Sequence, residues 1–423
     1  MLIRVTDLAT LIIALSFAGY PLVASISALT NLPNTPMSIV MRGFLLALAI
    51  LILVHSEGRL KRPGKLALAL LAILILYGLR LVFQTIFVAD SLGQSRATYW
   101  IWYFGTVLFP VIAVMTVRNF DDTRIHRLSF LMFILAAVPA ALIGSTMADV
   151  EGLLVNTGRA ALTSLNPISL GHLGASLSLL CLWSLFGIRS KSSTRRGLYI
   201  LGLVLGFFLI FMAASRGPVF AISVALFIMG FSLRGRQKIW FLTVSSTIIG
   251  LMLFYILSSG LSLNVNFTGR LFSLFNDFES DGSNVARAQI YTTSIQQIRG
   301  SLFFGSSIEN AIVRWNPHNL YLEFFMAIGL LGGILPVIIL PMLVLRAVRL
   351  IKMRHVLGGI SLLYIYYFVG AQFSGSVYSN GSLWVSATVV AMSVLPRQQR
   401  KTARIISSDH SPHAAPSFIQ SKS

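Results

Sequence analysis

The stretch SLFFGSSIENAIVRWNPHNLYLEFFMAIGLLGG, residues 301–333, decides how the rest of this chain is interpreted. Its centre is a polar turn, residues 316–319 (NPHN), and a long apolar run follows. An asparagine followed by a proline is a helix-start signal, because the asparagine side chain accepts from an unpaired amide and proline has no amide to leave unpaired. The sequence therefore predicts that a long apolar helix starts at Asn316-Pro317, with His318 at its mouth.

The composition indicates a membrane protein. The 423 residues are 56% hydrophobic and only 11% charged, and the mean hydropathy is +0.80. A spanning helix needs about 20 mostly apolar residues, and the chain offers about twelve such segments. We therefore predict an all-α polytopic membrane protein with about twelve transmembrane helices. The segments start near Leu8, Ser38, Leu66, Tyr99, Leu128, Leu165, Leu198, Val219, Ile239, Leu320, Leu357 and Ser382.

The net charge of +20 is distributed as in a membrane protein rather than in a nucleic-acid-binding protein. Basic residues cluster in every second connection between the apolar segments, and by the positive-inside rule these connections and both termini are cytoplasmic. Every lysine falls on that side, whereas the opposite side carries only arginines. Arginine binds phosphate bidentately, so this bias is compatible with phosphate recognition and equally with chance among few charges. We predict no nucleic-acid partner.

The predicted spans divide the chain into four regions. Residues 1–258 hold helices one to nine, residues 259–319 form one long outer loop, residues 320–396 hold helices ten to twelve, and residues 397–423 are a disordered cytoplasmic tail. Within the loop, residues 284–300 have apolar side chains at helical spacing, which predicts an amphipathic helix lying against the bundle or the interface. Arg287 and Tyr291 are four apart and share a face of it.

Three arginines lie at or near the outer boundary of predicted helices. Arg42 is interpreted as reaching to the outer headgroups. For Arg80, which lies deeper, the same interpretation and a role facing an outer cavity stay open. Arg216 stands in the short turn between helices seven and eight, where interfacial anchoring is the alternative to a binding role.

The outer face thus gathers arginines and His318, and this pattern fits one kind of chemistry. Arginines can hold a diphosphate, and a histidine near neutrality can take a proton from a hydroxyl. The positive end of a helix dipole disfavours the imidazolium and keeps the ring available as a base. A lone histidine at a helix start is more often a cap or a packing residue. Glu323 is either an accessory base or, as we favour, the partner of an arginine in a structural ion pair.

Several motifs in the second half of the chain resemble the O-antigen ligase and polysaccharide polymerase superfamily. They are Ser215-Arg216-Gly217, the long outer loop with arginines, Phe304-Gly305, and His318-Asn319 followed by Gly329-Leu-Leu-Gly332. The resemblance covers about residues 198–345. It implies a GT-C-like integral membrane glycosyltransferase of the bacterial inner membrane, which uses an undecaprenyl-diphosphate-linked glycan at the periplasmic face.

The resemblance also implies roles for individual residues. Arg216 and Arg270 would hold the diphosphate, His318 would deprotonate the acceptor hydroxyl, and neither a cofactor nor a metal is expected. Gly333 and Phe220 depart from the ligase pattern. The complete predicted set of diphosphate- and substrate-binding residues is Arg216, Arg270, Arg287, Tyr291, Asn319 and Arg80, beside the catalytic His318 and the accessory Glu323.

Three functions remain open at this stage. The first, which we favour, is a polymerase that joins lipid-linked repeat units into exopolysaccharide or O-antigen. The second is a ligase that transfers the finished glycan to a lipid A core or a protein. The third is a transporter or lipid-linked sugar flippase, although polar residues concentrated at one face favour chemistry over passage. Expected partners are membrane lipid, the lipid-linked glycan, and a chain-length regulator or flippase of the same pathway.

Overall fold

A computed structural model describes residues 4–56, 63–88, 92–117, 120–147, 165–188, 192–213, 215–258 and 282–393, without the side chains of 144–147, 248–258 and 282–286. Across these ranges the protein consists of thirteen helical segments and one isolated bridge between two residues. The helices are α1 (Val5–Thr30), α2 (Asn34–His55), α3 (Lys65–Phe87), α4 (Arg96–Thr116), α5 (Asp122–Met147), α6 (Pro167–Gly187), α7 (Ser193–Ala213), α8 (Arg216–Ser232), α9 (Arg236–Ser258), α10 (Gly282–Gly300), α11 (Leu320–Lys352), α12 (Gly358–Gly370) and α13 (Gly381–Met392).

The apolar segments predicted from the sequence correspond to helices. Each predicted start lies inside a helix or within about two residues of one, which is within the usual uncertainty of helix boundaries. Eight described helices, α1 to α7 and α11, are long and apolar enough to cross a membrane, and α8, α12 and α13 are shorter apolar helices. The prediction of an all-α polytopic membrane protein is therefore confirmed.

The helix surfaces show where lipid replaces water. Large apolar side chains such as Leu79, Leu201 and Phe227 are 64%, 68% and 66% exposed. In water such surfaces would drive association, whereas in hydrocarbon they are the favourable outer face of a bundle. The opposite faces are buried, as with Tyr77 on α3 and Leu203 on α7. The bundle is thus apolar inside and outside, as a multi-pass membrane protein must be.

The described lysines all lie at one end of this bundle. At the other end the amide of Leu320, the first residue of α11, donates to the carbonyl of Ala371 after α12, at 3.1 Å; we call this the His318 end. The described lysines, Lys65, Lys238 and Lys352, lie at the opposite end. The predicted orientation is based on this distribution of lysines. The assignment of the lysine end to the cytoplasm stays a prediction.

The longest helix, α11, is interrupted at Gly329. This residue has φ +62° and ψ −166°, a conformation essentially reserved for glycine. The interruption releases backbone groups, and the segment before α11 pairs with them. The amide of Leu330 donates to the Leu302 carbonyl at 2.7 Å, and the amide of Ser306 donates to the Met326 carbonyl at 2.8 Å. Every helix break needs such partners, because unpaired backbone groups inside a membrane protein are costly.

The glycines of this region therefore serve a loop rather than a neighbouring helix. A Cβ at Gly329 would lie 2.3 Å from the Phe303 carbonyl, and one at Gly305 would lie 2.5 Å from the Met326 carbonyl oxygen. The two motifs Phe304-Gly305 and Gly329-x-x-Gly332 meet each other at Gly305 and Gly329, and each of these two glycines makes room for the other segment.

The helix-start prediction at residues 316–319 was wrong in its details. α11 begins at Leu320, and its N-cap is Asn319, whose side chain accepts from the amides of Tyr321 and Leu322 at 3.1 and 3.0 Å. The side-chain oxygen of Asn316 instead accepts from the amide of His318 at 3.1 Å. The asparagine nearer the helix thus takes the capping role, and the first one forms a turn. The same Asn-Pro signal is correct at the start of α6, where Asn166 is the N-cap.

The outer loop is described only from Gly282 onward. Its first described part is the helix α10, which the sequence predicted at residues 284–300 and which packs against α11. A small hairpin follows, closed by Asn310 and Trp315 and tied to α10 through Ser294, to which the Asn310 amide donates at 3.1 Å. Arg270 and the tail 397–423 lie outside the described residues.

Candidate functional site

A cavity of about 450 Å³ opens at the His318 end of the bundle. Its walls come from α1, α2, α4, α6, the hairpin before α11 and the segment between α12 and α13. The side chains that give it its character are Tyr20, Arg42, Trp102, Asn166, Trp315, Asn316, His318 and Tyr378. Among the described residues that line it there is no aspartate or glutamate, and Arg42 alone carries a permanent charge. The cavity is therefore polar, aromatic and positively charged.

His318 lies on the wall of this cavity in an unusual conformation. Its φ is +54°, the left-handed region that only some non-glycine residues tolerate, and it immediately precedes the N-cap of α11. Its Nδ1 is buried and has no hydrogen-bond partner within the described part of the chain. A buried ring nitrogen with no internal partner is free to bond to a ligand. Backbone strain of this kind occurs most often at functional sites.

Burial lowers the pKa of His318 below its usual value, and the positive charge of Arg287 lowers it further. Both effects disfavour the imidazolium, so the ring is neutral at neutral pH and can accept a proton. Arg287 on α10 is thus close enough to His318 to act on it electrostatically. The structure brings together these two residues, which the sequence places 31 positions apart.

Arg42 is the cation of the cavity, contrary to our interpretation that it reaches to lipid headgroups. It lies about two turns into α2. Its guanidinium carbon lies 5.3 Å from the ring centre of Trp102 and 5.8 Å from that of Tyr20, and Nη1 donates to Ser38 Oγ at 2.9 Å. Two aromatic rings and a hydroxyl therefore hold this charge in place beside the cavity.

Arg216 lies near this cavity but does not line it. It is the first residue of α8, where the helix N-terminus adds to its positive charge. The neighbouring Gly217 is close to Phe373, since a Cβ there would lie 3.9 Å from the Phe373 Cβ. The next residue back, Gln372, accepts from the Asn319 side chain at 3.4 Å. Arg216 and the mouth of α11 thus flank the same segment after α12.

Tyr291 lies one turn from Arg287 on α10. Burial raises the pKa of its hydroxyl, and the charge of Arg287 opposes this rise. Tyr291 therefore stays protonated at neutral pH and can act only as a hydrogen-bond donor or acceptor. The predicted contact of Tyr291 and Arg287 with substrate is untested, although their mutual proximity and that of Arg287 to His318 are consistent with it.

Three of the predicted site residues make structural contacts here. Asn319 caps α11, as described above. Arg80 donates from its guanidinium to the backbone carbonyl of Ser306 and does not line the cavity. Glu323 is fully buried and forms no ion pair with an arginine of the described residues. Its carboxylate instead accepts from the Tyr77 hydroxyl at 2.5 Å and from the Val377 amide at 3.0 Å. These contacts fix the loop and helix mouth around the cavity.

Two buried carboxylates hold the segment between α12 and α13, which forms one wall of the cavity. Glu323 binds the Val377 amide, and Glu309 accepts from the Tyr378 hydroxyl at 3.1 Å and from the Gly93 amide at 2.9 Å. Burial raises the pKa of Glu309, while its hydrogen bonds oppose that rise. Tyr378 thus presents its ring to the cavity from a position that both carboxylates determine.

Sequence reasoning missed Arg42 as a cavity residue, and it did not single out Glu309 or Tyr378. The signal for Arg42 was present, because a charged residue within a spanning helix faces a cavity or a partner by default. No pattern in the sequence marks Glu309 or Tyr378, since their importance arises from packing between distant segments.

Fold and cavity together define a class: a multi-pass α-helical membrane protein with a polar site at one end of its bundle. Residues 201–337 match the family model described as O-antigen ligase. This region contains α8, α10, Arg216, Arg287 and His318, and it confirms the predicted resemblance to the O-antigen ligase and polysaccharide polymerase superfamily. No curated protein matches the chain.

Proposed function

We propose that this protein is an inverting membrane glycosyltransferase that polymerises undecaprenyl-diphosphate-linked oligosaccharide repeat units into exopolysaccharide or O-antigen. The observation that carries the proposal is His318. Its pKa is lowered by burial, its buried Nδ1 has no partner among the residues that the structure describes, it lines a polar cavity, and it belongs to the region that matches the O-antigen ligase model. On this proposal the His318 end is the periplasmic end, and both termini are cytoplasmic in a bacterial inner membrane.

The proposed reaction follows from these residues. His318 takes the proton of an acceptor hydroxyl, and the hydroxyl oxygen forms a bond to the anomeric carbon of the donor glycan. The bond between that carbon and the lipid diphosphate breaks, and its electron pair leaves on the diphosphate. Attack from the face opposite the leaving group inverts the configuration. General-base catalysis of this kind contributes about 100-fold or more to a rate.

Arginines stabilise the leaving group in this proposal. The charge that grows on the diphosphate is stabilised more strongly by fixed cations at a dry boundary than by cations in bulk water. Arg216, at the start of α8, combines its own charge with a helix N-terminus, which is an established environment for phosphate. Arg287 lies close to His318. Arg270 has the same proposed role and lies outside the described residues.

A ligase is the second candidate, and one observation favours it: the matching family is described as O-antigen ligase. A ligase would use the same base and the same leaving group, and would differ in its acceptor, a lipid A core or a protein. The polymerase remains the preferred proposal, because Tyr321 directly follows His318-Asn319-Leu320 in the manner that we associate with the polymerase branch.

The first test is mutational. We expect His318→Ala and Arg216→Ala each to abolish polymer formation in a strain lacking the native protein, with normal amounts of protein in the membrane. The matched control is His55→Ala. It changes an exposed histidine at the last residue of α2, at the end of the bundle away from His318. Near-normal glycan from both site variants would refute the assignment.

The lipid-linked intermediates distinguish the two candidates. In the deletion strain, accumulation of single repeat units with loss of long chains indicates a polymerase. Full-length chains retained on undecaprenyl diphosphate, with none on the final acceptor, indicate a ligase. Both patterns can be read from gels of lipid-linked and released polysaccharide.

A further inference from the structure

The cavity beside His318 contains a positive charge that no described carboxylate neutralises. Arg42 is half-buried, and the ion pairs of the described residues involve other groups: Arg124 with Asp7 and Asp121, and His355 with Asp122. Removing a charge from water without a counter-charge is unfavourable. A cation held this way at a cavity wall is matched to a ligand that supplies the negative charge.

The remaining lining suits a sugar. Trp315, which is 41% exposed, and the half-buried Tyr20 offer aromatic surfaces on which the apolar faces of pyranose rings can stack. Trp102 and Tyr378 stack on each other instead. The side-chain oxygens of Asn166 and Asn316 accept from the backbone amides of Ser169 and His318, so the amide nitrogens of both asparagines are the groups that can donate to sugar hydroxyls. A volume of about 450 Å³ lies within the usual range for small-molecule sites.

The negative group is better assigned to the sugar than to the lipid diphosphate. Arg216 and Arg287, to which we assign the diphosphate, are not among the residues lining this cavity. Arg42 stands alone there, whereas a diphosphate carries more charge than one arginine balances. A single guanidinium fork matches a single carboxylate, which it can bind with two parallel hydrogen bonds.

We propose that this cavity binds the acceptor glycan through an acidic sugar, a hexuronic acid, whose carboxylate pairs with Arg42. This inference rests on the proposed function, because it names the acceptor that His318 deprotonates. It makes Arg42 a residue that determines acceptor specificity and that contacts the substrate away from the reacting hydroxyl.

Binding to the purified protein in lipid nanodiscs tests the inference without turnover. The probes are three disaccharides ending in glucuronic, galacturonic or mannuronic acid, their three neutral counterparts, and inorganic pyrophosphate. We expect at least one acidic probe to bind about tenfold or more tightly than its neutral counterpart. Arg42→Gln should remove this preference and leave the affinity for the neutral probe unchanged.

Two further variants control the measurement. Arg96→Gln removes an exposed arginine at the same end of the bundle and should retain the wild-type preference. Arg42→Lys keeps the charge but lacks the fork, so it should bind the acidic probe with intermediate affinity. If Arg42→Gln does not yield folded protein, the test rests on Arg42→Lys. An Arg42→Lys variant that binds the acidic probe as tightly as the wild type does would overturn the pairing of the carboxylate with Arg42.

The inference is overturned if none of the three acidic probes binds more tightly than its neutral counterpart. It is also overturned if pyrophosphate displaces the acidic probe from wild type at equal concentration, because the cavity would then be the diphosphate site. These outcomes are separate from those of the polymer assay. Retained acidic binding together with normal polymer from His318→Ala would refute the base and leave the sugar site standing.

Discussion

At the scale of single residues, the state of His318 depends on what surrounds it. A histidine with its usual pKa would be partly protonated in mildly acidic surroundings and would lose its function as a base there. Burial and the charge of Arg287 lower the pKa of His318. The protein thereby extends the pH range in which the ring is neutral, and that range is open to measurement.

We expect Arg287→Gln to move the acid limb of the pH–activity profile to higher pH. The positive charge of Arg287 opposes the imidazolium, so its removal raises the pKa of His318 and leaves more of the ring protonated at a given acidic pH. The measurement is the rate of polymer formation against pH, normalised to each variant's maximum, since Arg287 also has a proposed binding role.

Arg287→Lys is the control for this prediction, because it keeps the charge and should keep the acid limb where it is in wild type. An acid limb that does not move in Arg287→Gln would mean that a group other than His318 sets it.

The residue types of the site could be predicted from the sequence, but their partners could not. His318, Arg216 and Arg287 stand out because charged or titratable groups are rare in this chain. Arg42 was misassigned with respect to the cavity, and the sequence could not decide between the two interpretations of Arg80. An arginine in the outer part of a helix can be held by aromatic rings, as Arg42 is, or by a loop carbonyl, as Arg80 is. Which of these contacts forms depends on the segments that pack beside α2 and α3, and the spacing of apolar residues in the sequence does not predict that packing.

At the scale of elements, the break in α11 brings together two of the motifs that carry the resemblance, Phe304-Gly305 and Gly329-x-x-Gly332. Gly329 and Gly305 each lie where a Cβ would collide with the other segment's backbone. The segment 302–308 in turn is fixed to α3, where the Arg80 guanidinium donates to the Ser306 carbonyl and the amide of Ile308 donates to the Gln84 side chain at 2.8 Å. The motif glycines therefore set the position of the loop that leads to His318.

We expect Gly329→Ala to destabilise the protein by about 3 kcal/mol or more, because alanine meets both a glycine-only backbone conformation and a backbone clash. The measurement is the midpoint of thermal unfolding in detergent, together with polymer formation. Gly197→Ala is the matched control, since a Cβ there meets nothing within 4 Å. Equal stability of the two variants would mean that the break is not required.

Helix existence was predictable, and helix detail was not. Long apolar runs fix where helices form in a membrane protein, because every backbone group must be paired within the segment. The break at Gly329 and the shift of the cap to Asn319 depend on contacts with the preceding loop. Two nearby asparagines, Asn316 and Asn319, are both suitable N-caps for α11 by sequence. Contacts with the preceding loop determine that Asn319 is the cap.

At the scale of the whole molecule, the chain is a bundle with two chemically different ends. The His318 end holds the cavity and several arginines, and the described lysines lie at the other end. The positive-inside rule converts this difference into an orientation. The single cysteine, Cys181, is buried, which makes the orientation simple to test by labelling.

We expect a cysteine introduced by Arg299→Cys to react with a membrane-impermeant maleimide in intact spheroplasts. Arg299 is exposed near the end of α10, whereas Lys352, exposed at the end of α11, lies at the opposite end of the bundle. Lys352→Cys should therefore react only after lysis, and the wild type should react in neither case because Cys181 is buried. The reverse pattern would place His318 in the cytoplasm and contradict the proposed function.

The cavity has one further consequence, which comes from where its walls originate in the chain. His318, Trp315 and Asn316 belong to the region that matches the O-antigen ligase model, whereas Arg42 and Trp102 lie far ahead of it. On the proposed function, the proposed base His318 and the cation proposed to select the sugar, Arg42, are then encoded in separate stretches of the gene. A chimera that carries the first four helices of a relative would then exchange Arg42 without exchanging His318, and recombination upstream of α8 would alter the proposed sugar preference without altering the proposed base.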